Sequence, residues 1–281
     1  MQTLGYYNGK IGEVSEMTIP MDDRACYFGD GVYDVTYAHN HVIYCLDAHM
    51  DRFFNSAGLL KIDLPYTKEE MKQLLQEMVQ KVDSGDQFVY WQATRGTAPR
   101  EHAFPGTKAN IWIMLRPQPI QNTYERLKLI TVEDTRFLHC NIKTLNLLPN
   151  VLAAQKTAEA GCNEAVFHRG DMVTECAHSN IHILKDGVFK THPTDHLILP
   201  GIARMNLITA CKKLGIPVDE TPFTLEELFD ADEAIVSSSG SFCLGVDEID
   251  GRAVGGKAPE LLKRLQDALV ADFMEETRGR D

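Results

Sequence analysis

The sequence predicts an α+β protein of two domains. Segments rich in β-branched and aromatic residues, typical of strands, occur in clusters with helical segments interspersed between them. The stretch Arg116-Pro-Gln-Pro-Ile-Gln-Asn122 interrupts all regular patterning and is the best candidate for a linker. We therefore predict a first domain over residues 1–116, a linker over 117–122 and a second domain over 123–281.

The first half is expected to begin with a hairpin, because Asn8-Gly9 suits a type I′ turn. Asp47 is expected to cap a helix that runs to about Leu60, and Thr67-Lys-Glu-Glu70 forms a capping box for a second helix. Four segments have strand-forming composition: 31–37, 42–46, 87–94 and 109–115. A stripe at helical spacing is expected to be core: Met71, Leu74, Leu75, Met78 and Val82.

The second half begins with a predicted strand over 127–132. A helix follows, with Leu147, Val151, Ala154 and Ala158 on its apolar face and Gly161 just beyond its end. Three short strands are expected near 164–168, 172–176 and 181–184, with a hairpin turn at Asp186-Gly187 after the last.

Two longer helices are predicted after that turn. One runs from Ala203 to Leu214, with basic residues in its last turn and Gly215 after it. The other runs from Pro259 to about Glu276, with Leu261, Leu265 and Leu269 on one face. Between them, Thr224-Leu-Glu-Glu227 forms a second capping box.

Composition excludes several classes of function. With 44% hydrophobic and 24% charged residues, a chain of 281 residues can bury a sizeable core. The net charge of −12 argues against nucleic acids and anionic membrane surfaces as partners. No apolar stretch approaches the roughly 20 residues of a membrane span, and no signal peptide is expected. The seven scattered cysteines contain no CxxC pair, so we expect no metal site, free thiols and a cytoplasmic location.

Lys143 is the leading candidate for chemistry. It lies on the short connection before the first helix of the second half, with Ile142 and Leu145 as apolar neighbours. A lysine so placed can be desolvated, which favours the neutral amine that forms Schiff bases. The alternative is an ordinary lysine that extends its charge into water.

Four blocks carry a resemblance to a known family: Ile142-Lys-Thr-Leu-Asn146, Gly161-Cys-Asn-Glu-Ala165, Thr174-Glu-Cys-Ala-His-Ser-Asn180 and Leu199-Pro-Gly-Ile202. In order and spacing they resemble the fold-type-IV pyridoxal-phosphate (PLP) enzymes, which include branched-chain and D-amino-acid aminotransferases and aminodeoxychorismate lyase. The resemblance implies a smaller N-terminal α/β domain and a larger, barrel-like C-terminal α/β domain. It also implies that Lys143 holds PLP as an internal aldimine.

The same resemblance implies the cofactor contacts. Glu175 would lie at the pyridine nitrogen, Leu199 against the ring, and Arg52 at the phosphate. The other implied cofactor-binding residues are Ser179, Asn180, Gly201, Ile202, Ala203, Ser239 and Gly240. Many relatives carry Thr where this chain has Ala203, so a hydroxyl contact is lost while the backbone N–H remains. Without the resemblance, Glu175 would be interpreted as a solvated carboxylate on a strand, Arg52 as a surface charge and Leu199 as core. The serine-glycine segment around Ser239 would be interpreted as an ordinary turn.

The loop Thr94-Arg-Gly-Thr-Ala-Pro-Arg-Glu-His102 resembles the substrate loop of D-amino-acid aminotransferases. The resemblance implies that Tyr33, Arg100 and His102 bind the substrate α-carboxylate, a task suited to a guanidinium with two parallel hydrogen bonds. In the family this loop crosses a dimer interface, which implies a homodimer with shared sites. Asp34 stands where relatives often have Glu, and the sequence assigns it no role.

The predicted function is PLP-dependent transamination of D-amino acids, with a 2-oxo acid such as 2-oxoglutarate or pyruvate as acceptor. Lys143 would move the proton from the substrate Cα. Two alternatives use the same cofactor: a pyruvate-releasing enzyme like aminodeoxychorismate lyase, and an R-selective amine transaminase that needs no carboxylate trap. A PLP-binding or structural protein without activity is a third alternative. The pair Arg100 and His102 favours the aminotransferase.

Overall fold

The computed structural model describes residues 2–279 and divides them into two compact units, which confirms a two-domain α+β architecture. The first unit contains residues 2–120, 142–146 and 273–279, and the second contains 121–141 and 147–272. The short segment that carries Lys143 therefore packs with the first unit, although the sequence assigned it to the second domain. The linker over 117–122 stays a prediction.

The first unit is built on a six-stranded antiparallel sheet with the order β2-β1-β6-β5-β3-β4. Its strands are β1 (Leu4–Tyr7), β2 (Lys10–Gly12), β3 (Gly31–His39), β4 (Val42–Ile43), β5 (Gln87–Thr94) and β6 (Asn110–Pro117). Asn8 and Gly9 have φ values of 45° and 96° between β1 and β2, which confirms the predicted hairpin.

Helices pack on this sheet: α1 (Arg24–Phe28), α2 (Leu46–Leu59) and α3 (Lys68–Val79). The capping box at Thr67 and Glu70 is confirmed, and the predicted stripe lies in the core with Leu74 only partly buried, but its last residue, Val82, lies beyond the end of α3. The prediction that Asp47 caps α2 is wrong. Cys45 occupies the N-cap in the left-handed conformation, and Asp47 lies in the first turn, where Lys72 Nζ is 2.6 Å from its carboxylate.

The second unit contains a nine-stranded sheet with the order β12-β11-β10-β13-β14-β7-β8-β9, and β15 pairs with β14. Its strands are β7 (Arg126–Glu133), β8 (Glu164–Arg169), β9 (Met172–Cys176), β10 (Asn180–Lys185), β11 (Val188–Thr191), β12 (Val218–Asp219), β13 (Glu233–Ser237), β14 (Leu244–Ile249) and β15 (Arg252–Ala253).

This sheet is curled, because the connection between β9 and β10 is too short to cross a flat sheet. Four strands separate β9 from β10 in the order, about 24 Å in a flat sheet. The link over 177–179 can span only about 15 Å. Curling brings β9 beside β10, in agreement with the expected barrel-like domain.

The helices of the second unit are α4 (Leu148–Glu159), α5 (Ile202–Lys213), α6 (Leu225–Asp230) and α7 (Pro259–Glu276), whose last residues group with the first unit. Left-handed Gly161 and Gly215 follow α4 and α5, and the capping box at Thr224 is confirmed. Among residues 2–279, no helix is both long and apolar enough to cross a bilayer.

The predicted inner faces of two helices need correction. On α4, Val151, Ala154 and Ala158 are exposed, whereas Ala153 and Thr157 are buried. Apolar residues lie on several sides of this helix, so periodicity alone could not predict which side faces the sheet. The buried side carries the small residues Ala153 and Thr157, which let the helix approach the sheet closely. On α7, Leu262 is buried with Leu265 and Leu269, and Leu261 is only partly buried.

Candidate active site

The segment around Lys143 behaves as a short extra strand of the first unit. The N–H of Tyr33 donates to the Lys143 carbonyl at 3.0 Å, and the N–H of Leu145 donates to the Gly31 carbonyl at 3.1 Å. The N–H of Lys143 donates to Ser56 Oγ at 3.2 Å. These bonds to β3 and α2 place Lys143 in the first unit and fix its backbone.

The side chain of Lys143 is half-buried, and its Nζ lies 4.5 Å from the ring centroid of Tyr33. Tyr33 in turn stacks on Tyr90, with ring centroids 5.5 Å apart. Burial, followed by the neighbouring Tyr33, raises the pKa of Tyr90 and keeps it neutral. The residue predicted to hold the cofactor therefore touches one predicted to bind substrate.

Arg52 lies in the core of the first unit and pairs with Asp34. Its Nε and Nη2 donate to the two carboxylate oxygens at 2.9 and 2.7 Å. His49, one helical turn before Arg52, contacts the same carboxylate through Nδ1 at 2.8 Å. This arrangement gives Asp34 a function that the sequence did not supply, because the carboxylate orients and neutralises the guanidinium.

Burial and the neighbouring charges together set the charge states in this cluster. Burial by itself would raise the pKa of Asp34, but Arg52 and His49 outweigh that effect and hold the pKa well below its usual range. Burial lowers the pKa of His49, against the opposing pull of Asp34. His49 was not predicted from the sequence. Its spacing of three residues from Arg52 on a predicted helix could have indicated that the two side chains lie next to each other.

Arg100 and His102 are exposed on the loop after β5 and gather around one aromatic ring. The guanidinium of Arg100 lies 5.2 Å from the Phe28 centroid, and the His102 ring lies 5.2 Å from the same centroid. Arg24 anchors the loop by donating to the Glu101 carbonyl at 2.6 Å. Their joint function as a carboxylate trap stays a prediction.

In the second unit, Glu175 is brought together with two other predicted residues. Its carboxylate, buried on β9, accepts from Asn180 Nδ2 at 3.0 Å and from the N–H of Leu199 at 2.9 Å. Asn180 also donates to the Leu199 carbonyl at 3.1 Å. The other oxygen of Glu175 forms a short ion pair with Arg136.

Arg136 and Asp134 were not predicted. Arg136 donates through Nε and Nη2 to the carboxylate of Asp134, both at 2.9 Å, while Nη1 reaches Glu175. Asp134 opposes the desolvation of Arg136 and raises its pKa, so the guanidinium stays charged beside Glu175. The available signal was a pair of charged residues directly after the end of β7.

Helix α5 begins directly after a glycine. Gly201 is the N-cap of this twelve-residue helix, and a glycine has no side chain with which to cap the first-turn N–H groups. A Cβ at position 201 would lie 2.0 Å from Asn180 Oδ1, so a larger residue there would have to displace the Asn180 side chain. Ile202 and Ala203 open the helix, and Ala203 offers only its backbone.

The serine-rich turn after β13 contains Ser239 and Gly240. Ser238 and Ser241 share a hydrogen bond between their hydroxyl groups at 2.8 Å, which closes the turn. The Gly240 carbonyl accepts from the N–H of Gln121 at 2.8 Å. In the separate loop before β10, Ser179 donates to the buried carboxylate of Glu164 at 2.8 Å.

Comparison with known proteins gives these features a family. A profile described as amino-transferase class IV matches residues 31–249. The chain belongs to class IV of the aminotransferases. It is 38% identical to D-alanine aminotransferase of Bacillus licheniformis over 277 residues, covering 96% of this chain and 97% of that protein. It is 39% identical to D-alanine aminotransferase of Listeria monocytogenes serotype 4b over 275 residues, covering 95% of each.

Solved structures agree with this aminotransferase family. A branched-chain aminotransferase from Thermoproteus uzoniensis, solved with norvaline, is 26% identical with a TM-score of 0.88, over 97% of this chain and 95% of that one. The branched-chain enzyme of Escherichia coli has a TM-score of 0.90 over 99% and 96%, and at 22% identity it shows the fold alone. Class membership confirms fold type IV and a PLP-dependent aminotransferase, so the inactive-protein alternative is wrong.

Proposed function

We propose that this aminotransferase acts on D-amino acids and passes the amino group to a 2-oxo acid such as 2-oxoglutarate or pyruvate. The observation that carries the proposal is the match, over about 95% of the chain, to proteins named D-alanine aminotransferase. The contact between Lys143 and Tyr33 supports it, because a lysine that moves a substrate proton must lie near the group that positions the substrate.

When bound, PLP supplies an electron-accepting ring that weakens the Cα–H bond of an amino acid. Lys143 is proposed to hold the cofactor and to take the proton from the substrate Cα as a general base. Its fixed backbone and half-buried side chain suit both tasks, because the amine is held in place but can still reach substrate.

Glu175 is proposed to face the pyridine nitrogen. Arg136, Asn180 and the N–H of Leu199 all donate to its carboxylate, which favours the anion. A buried carboxylate anion stabilises a protonated pyridine nitrogen. Leu199, whose N–H binds the same carboxylate, is proposed to pack its side chain against the cofactor ring. The donor set in this structure therefore fits the cofactor.

The phosphate is proposed to bind at the N-terminus of α5, through Gly201, Ile202 and Ala203, and at Ser239 and Gly240. The backbone N–H groups of a helix start suit a dianion, and they compensate in part for the missing hydroxyl at Ala203. A phosphate contact by Arg52, and cofactor contacts by Ser179 and Asn180, complete the proposal.

Tyr33, Arg100 and His102 are proposed to bind the substrate carboxylate. The preference for one hand of substrate follows, because the side on which the carboxylate is held decides whether the Cα–H points toward Lys143. We propose a cytoplasmic homodimer in which Arg100 and His102 serve the partner's site.

Borohydride reduction followed by peptide mapping tests the first step and should place the pyridoxyl group on Lys143. Absorption spectra recorded with D-alanine, L-alanine, L-leucine and R-phenylethylamine then test the substrate. We expect D-alanine to change the spectrum fastest. A label on another lysine, or a faster reaction with L-leucine, would contradict the proposal.

A further inference from the structure

A buried chain of hydrogen bonds crosses three neighbouring strands of the second unit. Arg204 Nε donates to Thr191 Oγ1 at 3.2 Å, and Thr191 Oγ1 lies 2.8 Å from His182 Nδ1. On the opposite side of the ring, His182 Nε2 lies 2.8 Å from Ser237 Oγ. These four side chains are at most 4% exposed, so water does not compete for their hydrogen bonds.

The chain joins the two segments proposed to bind the cofactor phosphate. Arg204 lies in the first turn of α5, three residues after the N-cap Gly201. Ser237 is the last residue of β13 and leads directly into the turn that contains Ser239 and Gly240. The side chain of His182 on β10 bridges Thr191 on β11 and Ser237 on β13, and both neighbouring strands are paired to β10.

The charges of Arg204 and His182 allow a consistent set of directions for these hydrogen bonds. Burial, followed by the nearby Arg204, lowers the pKa of His182 to about 3, so the ring is neutral with one donor and one acceptor. Arg204 can only donate, and Glu220 holds it at 2.7 Å. If the hydroxyl of Thr191 accepts from Arg204 and donates to Nδ1, then Nε2–H donates to Ser237 Oγ. Ser237 Oγ then accepts from the ring and can still donate its own hydroxyl proton.

We propose that His182 is a positioning residue, which fixes the serine turn relative to the N-terminus of α5 and so raises the affinity for the phosphate of PLP. The proposal rests on the phosphate site proposed above. It gives a physical reason why the site tolerates Ala203, because a turn held at the correct distance compensates for a missing hydroxyl at the helix.

The test compares PLP with pyridoxal, which lacks the phosphate. The dissociation constants of both are measured by absorbance during reconstitution of full-length apoenzyme. His182→Phe keeps an aromatic ring next to Phe189, whose centroid is 5.1 Å away, but removes both hydrogen bonds. We expect it to raise the dissociation constant of PLP about ten- to a hundredfold and to change that of pyridoxal by less than about twofold. A purely structural function of His182 would weaken both ligands equally.

Phe189→Leu is the matched control, because it disturbs the packing of the same ring and removes no hydrogen bond. It should leave the ratio of the two dissociation constants unchanged. If His182→Phe folds poorly, a second measurement tests the same proposal with two other variants. Thr191→Val and Ser237→Ala should be non-additive for PLP affinity, because cutting the chain at either end removes the same constraint.

The outcomes separate this inference from the proposed function. If PLP does not label Lys143 in the unmodified enzyme, the proposed function fails. If labelling succeeds but His182→Phe leaves the PLP-to-pyridoxal ratio unchanged, or the two end variants add, the inference about His182 is overturned and the proposed function stands.

Discussion

Arg52 and Asp34 form a two-bonded ion pair in the core of the first unit, with the Asp34 side chain fully buried. The two residues lie on different elements, β3 and α2, and the pair links them. Because a lone guanidinium is costly to bury, Arg52 needs a carboxylate beside it, and Asp34 supplies that carboxylate in this chain. The pair thus explains a residue that had no assigned function.

Asp34→Asn should lower the free energy of unfolding by about 3–5 kcal/mol, because it leaves the charge of Arg52 uncompensated in the core. Urea denaturation at pH 7.5 measures the change. Asp51→Asn is the control. Asp51 lies on α2 next to Arg52 and forms an exposed ion pair with Lys68, so its loss should change the free energy of unfolding little. An equal loss in both variants would show that the buried pair is not special.

The same variant has a pH dependence of known sign. The folded-state pKa of Asp34 is lowered, so its stabilisation is present above its unfolded pKa of about 4 and is lost as the pH falls below that value. The difference between wild type and Asp34→Asn should therefore narrow below about pH 4. A difference that stays constant to pH 2.5 would count against an ionised Asp34.

Glu175→Gln should retain PLP but slow removal of the Cα proton about a hundredfold or more, because a neutral amide cannot stabilise a charged pyridine nitrogen. Single-turnover absorbance with D-alanine measures the rate. Glu133→Gln, which alters an exposed carboxylate on β7, is the control and should match wild type. Unchanged rates in Glu175→Gln would show that its carboxylate is structural.

Arg100→Ala should lower kcat/KM for D-alanine about ten- to a hundredfold, the loss of a charge-assisted carboxylate contact worth roughly 1.5–3 kcal/mol. R-phenylethylamine, which has no carboxylate, should be affected much less. Arg116→Ala is a matched control, because this arginine also lies over a phenylalanine ring, 4.7 Å from the Phe88 centroid. Equal losses of kcat/KM for both substrates would contradict the proposal that Arg100 binds the substrate carboxylate.

A site shared between subunits predicts complementation. Lys143→Ala chains are expected to be inactive toward D-alanine, and Arg100→Ala chains to retain about one to ten per cent of the wild-type kcat/KM. A hybrid dimer would contain one site with both defects and one with neither, so mixing should restore activity. Each chain mixed with itself is the control. If subunit exchange is verified and activity is not restored, each site belongs to a single chain.

His182 should make stability fall in weak acid. Its folded-state pKa of about 3 lies below the unfolded value of about 6.5, so below pH 6.5 the unfolded chain binds the additional proton. Between pH 7.5 and pH 5 wild type should lose about 2 kcal/mol more than His182→Phe. Arg204 faces His182, and Glu220 and the buried His192 lie against Arg204. Equal losses in both proteins would exclude a neutral His182.

Local sequence determined much of the fold. The hairpin at Asn8-Gly9 and the capping boxes at Thr67 and Thr224 depend on neighbouring residues, so a sequence pattern is sufficient to predict them. The ordered blocks around Lys143 and Glu175 likewise indicated the family, which the comparisons confirm.

Tertiary structure decided what depends on residues that are distant in the chain. Lys143 joins the first unit because its backbone pairs with β3, and Arg52 is held by a carboxylate on that same strand. The chain from Arg204 to Ser237 forms only when three strands and a helix meet. Spacing along a sequence encodes local geometry, whereas these partners are chosen by the register of strands and by the cost of burying an unpaired charge.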